Sequence, residues 1–348
     1  MMKKVTMLFM TTCCTALLCA GCFKVEKVPP PKLPYTFVTP FHLFSVASYD
    51  THVWAVGFDG TIVHSSDSGA TWEHQKSGVQ VNLCSVTFVD TAHGWVSGRA
   101  GTMLHTSDGG KTWVRQDCCI ANHLFALCFV DAQYGWTVGD FGTILHTTDG
   151  GKTWVQQGSG EDKIYNAVYF LDRQRGWVAG EYGTIYATTD GGATWRKQEC
   201  PEIVPVISET DWEQNPPSLY GIFFSDARHG FACGMDGTII ATDDGGATWR
   251  KRRNPAEEKK VTLYAVKGKG ATWIAVGQKG VVVVSRDSGA TWLLQDGAGG
   301  IKFWLRDMVF ADERTAWTVG ARGTILKTAD SAAQWQVLSG ISTTVAQQ

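Results

Sequence analysis

The chain has 348 residues, and its 31 lysines and arginines against 33 aspartates and glutamates leave a formal charge of −2 at neutral pH. That balance excludes a nucleic-acid binder working by phosphate neutralisation. Its 39 glycines and 15 tryptophans sit among short alternating apolar runs with no long amphipathic helical pattern, so an all-helical body is excluded as well.

In chain order, Lys3 and Lys4 precede an apolar run from Val5 to Ala20, which stops at "LCAGC" ahead of Cys22. This stretch resembles a bacterial lipoprotein signal, and the resemblance implies lipid attachment at Cys22 after removal of residues 1–21; an ordinary cleaved secretory signal is the alternative. Processing leaves 29 basic against 33 acidic residues. Residues 22–40, with "KVEKVPPPKLP", then read as a lipid anchor and proline-rich tether. The implied location is outside the cytoplasm, anchored by lipid alone to a bacterial membrane and facing the periplasm or an equivalent compartment.

From residue 41 to 338 one unit repeats seven times. Its signature, Ser/Thr-x-Asp-x-Gly-x-Thr-Trp, ends at Trp72, Trp113, Trp154, Trp195, Trp249, Trp292 and, as the worn copy "TADSAAQW", at Trp335. The intervals are 41, 41, 41, 54, 43 and 43 residues. Each period holds an apolar strand, a Gly-Trp strand, a Gly-x-x-Gly-Thr turn, a third strand, the Asp motif and a Trp-led strand. Four short strands per period of this length predict an all-β, seven-bladed propeller of four-stranded antiparallel blades, because radial closure removes the two open edges of such an array. Residues 339–348 read as a flexible tail.

In the turn motif, the carboxylates of Asp67, Asp108, Asp149, Asp190, Asp244, Asp287 and Asp330 are placed to accept backbone N–H bonds while the glycines take positive φ and the tryptophan buries its ring between sheets. These residues are scaffold. A calcium site would need more closely spaced carboxylates and carbonyls than the turn supplies.

The motif resembles the Asp-box repeats of bacterial neuraminidases, and the longer unit, best preserved in "GWVSGRAGTMLHTSDGGKTW" and "GWTVGDFGTILHTTDGGKTW", is similar to the photosystem II stability and assembly factor family. That resemblance implies a seven-bladed, non-enzymatic, protein-binding propeller. Its partner would be a membrane-associated protein complex or its assembly intermediates; relatives with this repeat also occur in bacteria without photosystem II. No catalytic residue, cofactor or metal is expected, no nucleic acid is a partner, and a monomer suffices. The competing reading is a carbohydrate-binding or glycoside-hydrolase-like Asp-box protein. The sialidase Phe/Tyr-Arg-Ile/Leu-Pro segment does not occur.

Positions the blade requires recur, and positions free of it vary. The most variable pair lies inside Gly-x-x-Gly: Phe58-Asp59, Arg99-Ala100, Asp140-Phe141, Glu181-Tyr182, Met235-Asp236, Gln278-Lys279 and Ala321-Arg322. These turns should share one face with the blade-to-blade connections, opposite the Asp motifs, and that face is the candidate binding surface. Acids gather on it at Asp140, Glu181 and Asp236, and cations at Arg99, Lys279 and Arg322. Asp59 departs from that pattern. The 54-residue interval adds a proline-rich insertion carrying Trp212, either a partner anchor or a lid on its own blade. Along the innermost strands Ser45, Ser85, Ala126, Ala167, Gly221 and Ala265 are small, but blade seven has Asp307. This carboxylate in the central channel either binds water or an ion, or pairs locally. Cys84, Cys128 and Cys233 are expected as buried thiols, while Cys118, Cys119 and Cys200 fall in connections with open connectivity.

Overall fold

The computed structural model describes residues 38–158, 160–203, 215–295 and 300–339. These form seven four-stranded antiparallel sheets, each built from four consecutive strands, so the chain is the seven-bladed propeller its repeats predict. Blade one runs outward through Leu43–Tyr49, His52–Gly57, Thr61–Ser65 and Glu73–Lys76. The other innermost strands are Leu83–Phe88, Leu124–Phe129, Tyr165–Phe170, Leu219–Phe224, Leu263–Lys269 and Leu305–Phe310. Neighbouring inner strands touch around the whole ring, and the last touches the first. At that seam the Val38 N–H donates to Ser339 Oγ at 3.1 Å, and Lys327 Nζ donates to the Ser68 carbonyl at 2.9 Å.

The second strand is buried along its length in five blades, and at all but its first residue in blades one and six, and it carries the main inter-blade device. Trp54, Trp95, Trp136 and Trp177 stack on Phe88, Phe129, Phe170 and Phe224 of the following blade, with centroids 3.5–3.8 Å apart. Each indole N–H then reaches forward to a carbonyl in the next blade's Asp motif, at Gly109, Gly150, Gly191 and Gly245, over 2.9–3.0 Å. The same carbonyls accept from Gln75, Gln116, Gln157 and Gln198, each three residues past the motif tryptophan. At these four junctions one carbonyl therefore takes two donors from the preceding blade, and blades one to five are latched in succession.

The phenylalanine needs room above its strand partner. A Cβ added at Gly94, opposite Phe88, would meet the Phe88 ring at 2.4 Å. Blade six inverts this pair: Trp273 occupies the glycine position, Gly268 the phenylalanine position, and a Cβ at Gly268 would meet the Trp273 indole at 2.3 Å. Large and small have exchanged strands, which conserves the packed volume.

The Asp motif forms the predicted turn. Asp149 Oδ1 accepts the Thr153 N–H at 2.9 Å and the Thr147 hydroxyl at 2.8 Å, and its Oδ2 accepts the Thr153 hydroxyl at 2.6 Å. Thr147 Oγ1 accepts the Gly151 N–H, and Gly150 and Gly151 have φ of 76° and 86°. One expectation is corrected. The motif tryptophan is buried only in blades five to seven, at Trp249, Trp292 and Trp335, whereas Trp72, Trp113, Trp154 and Trp195 are half-buried. The last three of those four lie edge-on to the phenylalanine of the stack. The fully buried ring belongs to the second strand because that position faces a sheet on both sides.

Candidate functional site

The two faces of the ring separate as the turn chemistry predicts. Asp-motif turns bond to the turn between the first and second strands, as in Ser68 N–H to the Thr51 carbonyl and Gly109 N–H to the Ala92 carbonyl. Gly-x-x-Gly turns bond instead to the blade-to-blade connections: Gly60 N–H to Val81, Gly101 N–H to Asn122, Gly142 N–H to Lys163. The second residue of the variable pair is left-handed in every blade, with φ of 51–57° at Asp59, Ala100, Phe141, Tyr182, Asp236, Lys279 and Arg322.

A β-bulge recurs where each inner strand starts beside this face. The pairing skips one residue between Leu83, opposite Gly98, and Ser85, and likewise in the other six blades. The extra residues are Phe44, Cys84, Phe125, Asn166, Tyr220, Tyr264 and Arg306. A bulge turns its unpaired side chain away from the regular alternation, and all seven line the central channel, a cavity of about 420 Å³. The flanking Leu and small residues are shared among most blades while the bulged residue differs in kind. By the criterion applied to the Gly-x-x-Gly pair, this is a ring of positions the blade leaves free, and sequence reasoning missed it because unpaired residues carry no mark in a repeat.

Five bulged residues, Phe44, Cys84, Phe125, Tyr264 and Arg306, join Asn82, Arg99 and Trp304 around a cavity of about 290 Å³. The Arg306 guanidinium stands 4.6 Å from the Tyr264 ring centre and 5.7 Å from that of Tyr220. Phe44 and Trp304 stack at 6.0 Å. Burial pushes the Cys84 thiol up to about 11, with Arg99 and Arg306 pulling weakly the other way, so it stays protonated. Two cations and four half-buried aromatic rings form a mouth that can offer charge-assisted hydrogen bonds and apolar contact to a ligand.

The variable-pair residues divide into two groups. Asp140 and Glu181 point back into the protein: Asp140 Oδ1 accepts the His123 N–H at 2.8 Å, and Glu181 Oε2 accepts the Ile164 N–H at 3.3 Å. The grouping of acids seen in sequence is thus partly structural. Arg322 lies 4.4 Å over the Phe303 ring. Phe58, Phe141, Tyr182 and Met235 remain exposed, as do Arg99, Lys279 and Asp236, while Gln278 donates to the Tyr264 hydroxyl at 3.3 Å. Cys22 and Trp212 lie outside the described residues.

Asp307 pairs locally, across the closing seam. Its Oδ2 accepts the Ser45 hydroxyl at 2.7 Å and the Val46 N–H at 3.1 Å, and its Oδ1 accepts the Met308 N–H at 2.8 Å. Ser45 accepts the Val86 N–H and Ser85 the Leu127 N–H in the same way, so the carboxylate continues an inter-blade bond around the ring. Among the described residues no cysteine is in a disulfide. Cys233 is buried, its thiol pushed up to about 12 by desolvation, whereas Cys84 and Cys128 are only half-buried. No group of three or more His, Cys, Asp or Glu among the described residues is arranged to hold a metal ion.

Fold and turns thus define a propeller of Asp-box blades with a variable mouth on one face. A family model described as "Photosynthesis system II assembly factor YCF48" matches residues 74–160 and 205–295, just over half of the chain, and the protein belongs to that family. The curated relative "Photosystem II assembly lipoprotein Ycf48" of Prochlorococcus marinus (strain MIT 9313) is 40% identical over 62 residues, which cover 16% of this chain and 18% of that protein. Among solved structures, "YCF48 bound to D1 peptide" superposes with a TM-score of 0.67 at 19% identity, covering 86% of this chain and 98% of that one. YCF48 from Cyanidioschyzon merolae gives 0.66 at 19% identity over 85% and 97% of the two chains. A GH74 xyloglucanase from Xanthomonas campestris gives 0.68 at 12% identity, over 87% of this chain and 55% of the enzyme. At these identities the superpositions show a shared fold.

Proposed function

We propose that this chain is a non-enzymatic, lipid-anchored assembly factor that holds an extended segment of a membrane-complex subunit at the mouth of the channel. The observation carrying this reading is the mouth itself: Arg99, Arg306 and four aromatic residues converge there from several blades, most of them at bulge positions whose residue differs from blade to blade. Family membership supports a role in assembly, and one solved relative is described as bound to a D1 peptide. The relative named a lipoprotein, together with "LCAGC" at Cys22, supports export and lipid anchoring. Against glycoside hydrolysis stands the channel lining, whose one carboxylate among the described residues, Asp307, has both oxygens engaged by the seam, so paired acids for that chemistry do not meet there. Light-activated crosslinking in the native host tests the proposal. A photoreactive residue at position 304, in the mouth, should form adducts with a subunit of a membrane complex, and one at position 152, beside an Asp motif, should not. Adducts only from position 152 would overturn it.

A further inference from the structure

Phe141 and Tyr182 occupy positions of adjacent blades with φ of 51° and 54°. A bulky side chain is costly in the left-handed region, where glycine, asparagine or aspartate serve better. Blades one and five have aspartate there, at Asp59 and Asp236. Both rings are more than half exposed, at 59% and 55%, so packing does not repay the strain. Met235 and Phe58 project from the corresponding turns of blades five and one. Being at equivalent turns of successive sheets, these side chains are distributed one to a blade around a rim. A protein hot spot is contiguous, whereas separate projections suit a flat, deformable surface.

Two further features fall on the same face. The connection from blade five to blade six packs its short helix, Pro255–Glu258, on the Gly237 turn, with Asn254 Nδ2 donating to the Gly237 carbonyl at 2.8 Å. It carries Arg253, Lys259 and Lys260, all exposed. The chain also joins the propeller here: the Thr39 carbonyl is the nearest atom to a Cβ built on Gly323, and Phe41 lies 6.0 Å from Phe58, ring to ring.

We infer that the Gly-x-x-Gly rim docks on the lipid bilayer, with Phe141 and Tyr182 entering the interfacial layer and Arg253, Lys259 and Lys260 meeting anionic headgroups. This goes beyond the proposed function and leaves the mouth open to a segment emerging from the membrane. Hydrogen exchange of the full-length chain, with and without vesicles of phosphatidylcholine containing one quarter phosphatidylglycerol, tests it. Amides 140–142, 181–183 and 252–261 should exchange at least threefold more slowly on vesicles, with the Asp-motif turns unchanged. The variant Phe141→Asn/Tyr182→Asn should fold at least as stably as the parent, since asparagine tolerates positive φ, yet lose that protection. Vesicle-bound protein with unprotected rim amides would overturn the inference, as would no vesicle association. So would protection appearing only when a partner protein is added, which would assign the rim to protein and leave the function proposal standing.

Discussion

Replacing Trp136 tests whether the blades are held together by the latch. Its ring is fully buried, stacked on Phe170 of the next blade at 3.5 Å, and its N–H donates to the Gly191 carbonyl at 3.0 Å. Trp136→Ala removes the ring and the bond, and truncations of this kind cost about 3–5 kcal/mol. Trp136→Phe keeps most of the stack and loses the donor. Gln157 Nε2 still reaches the same carbonyl at 3.0 Å, so the acceptor is not orphaned, and the cost falls to about 1–2 kcal/mol. Blade five already carries this exchange, with Phe231 at the equivalent position. In the double variant Trp136→Phe/Gln157→Ala the carbonyl loses both donors, and the loss should exceed the sum of the single changes by about 0.5–1.5 kcal/mol. Urea denaturation followed by tryptophan fluorescence and far-ultraviolet circular dichroism reads these differences. Trp136→Ala within about 1 kcal/mol of the parent, or strict additivity in the double variant, would refute the latch.

Other outcomes follow from the turns and the anchor. Hydroxyl and backbone bonds from the motif threonine hold Asp67, Asp108, Asp190 and Asp287 at about 2, below the ordinary 3.8, and Asp244 reaches about 2 despite burial pushing the other way. Because the folded value is the lower one, this stabilisation is full above the ordinary value and is lost as pH falls from about 4 to 2; a melting temperature unchanged across that window would contradict it. Blade seven has Ala332 at φ 65° in place of glycine, and Gln334 offers Asp330 an N–H at 2.9 Å but no hydroxyl, so its turn should be the least protected of the seven in hydrogen exchange. Cys22→Ser should release folded protein from the membrane fraction, and detergent-requiring retention of that variant would argue against lipidation there.

What was legible in the sequence was what each blade does for itself. The Asp motif closes its turn within a few residues, Asp149 to Thr153 and Thr147, so spacing alone exposes it. The separation of the two faces also follows from strand order. What was not legible crosses from blade to blade. Trp136 and Gln157 meet Gly191 at separations of 55 and 34 residues, and a repeat shows such residues as recurrent without showing their partners. Asp307 looked like an oddity in the channel because its partners, Ser45 and Val46, lie at the other end of the chain and meet it only when the ring closes. The bulge left no trace either, since Arg306 and Tyr264 read as ordinary strand residues until the skipped register turns them into the mouth.

The central claim, that the Asp-motif face is scaffold and the mouth is the working surface, is tested most directly by partner retention per folded molecule. Tagged parent, Arg99→Ala/Arg306→Ala and Asp149→Ala proteins would be purified from native membranes after mild crosslinking, with folded fraction measured for each. Substituting the two arginines should lower the captured complex at least tenfold with the melting temperature nearly unchanged. Asp149→Ala should lower the melting temperature, through a turn N–H and two hydroxyls left without their acceptor, and capture as much complex per folded molecule as the parent. The reverse pattern, with full capture by the arginine variant and none by folded Asp149→Ala protein, would contradict the account.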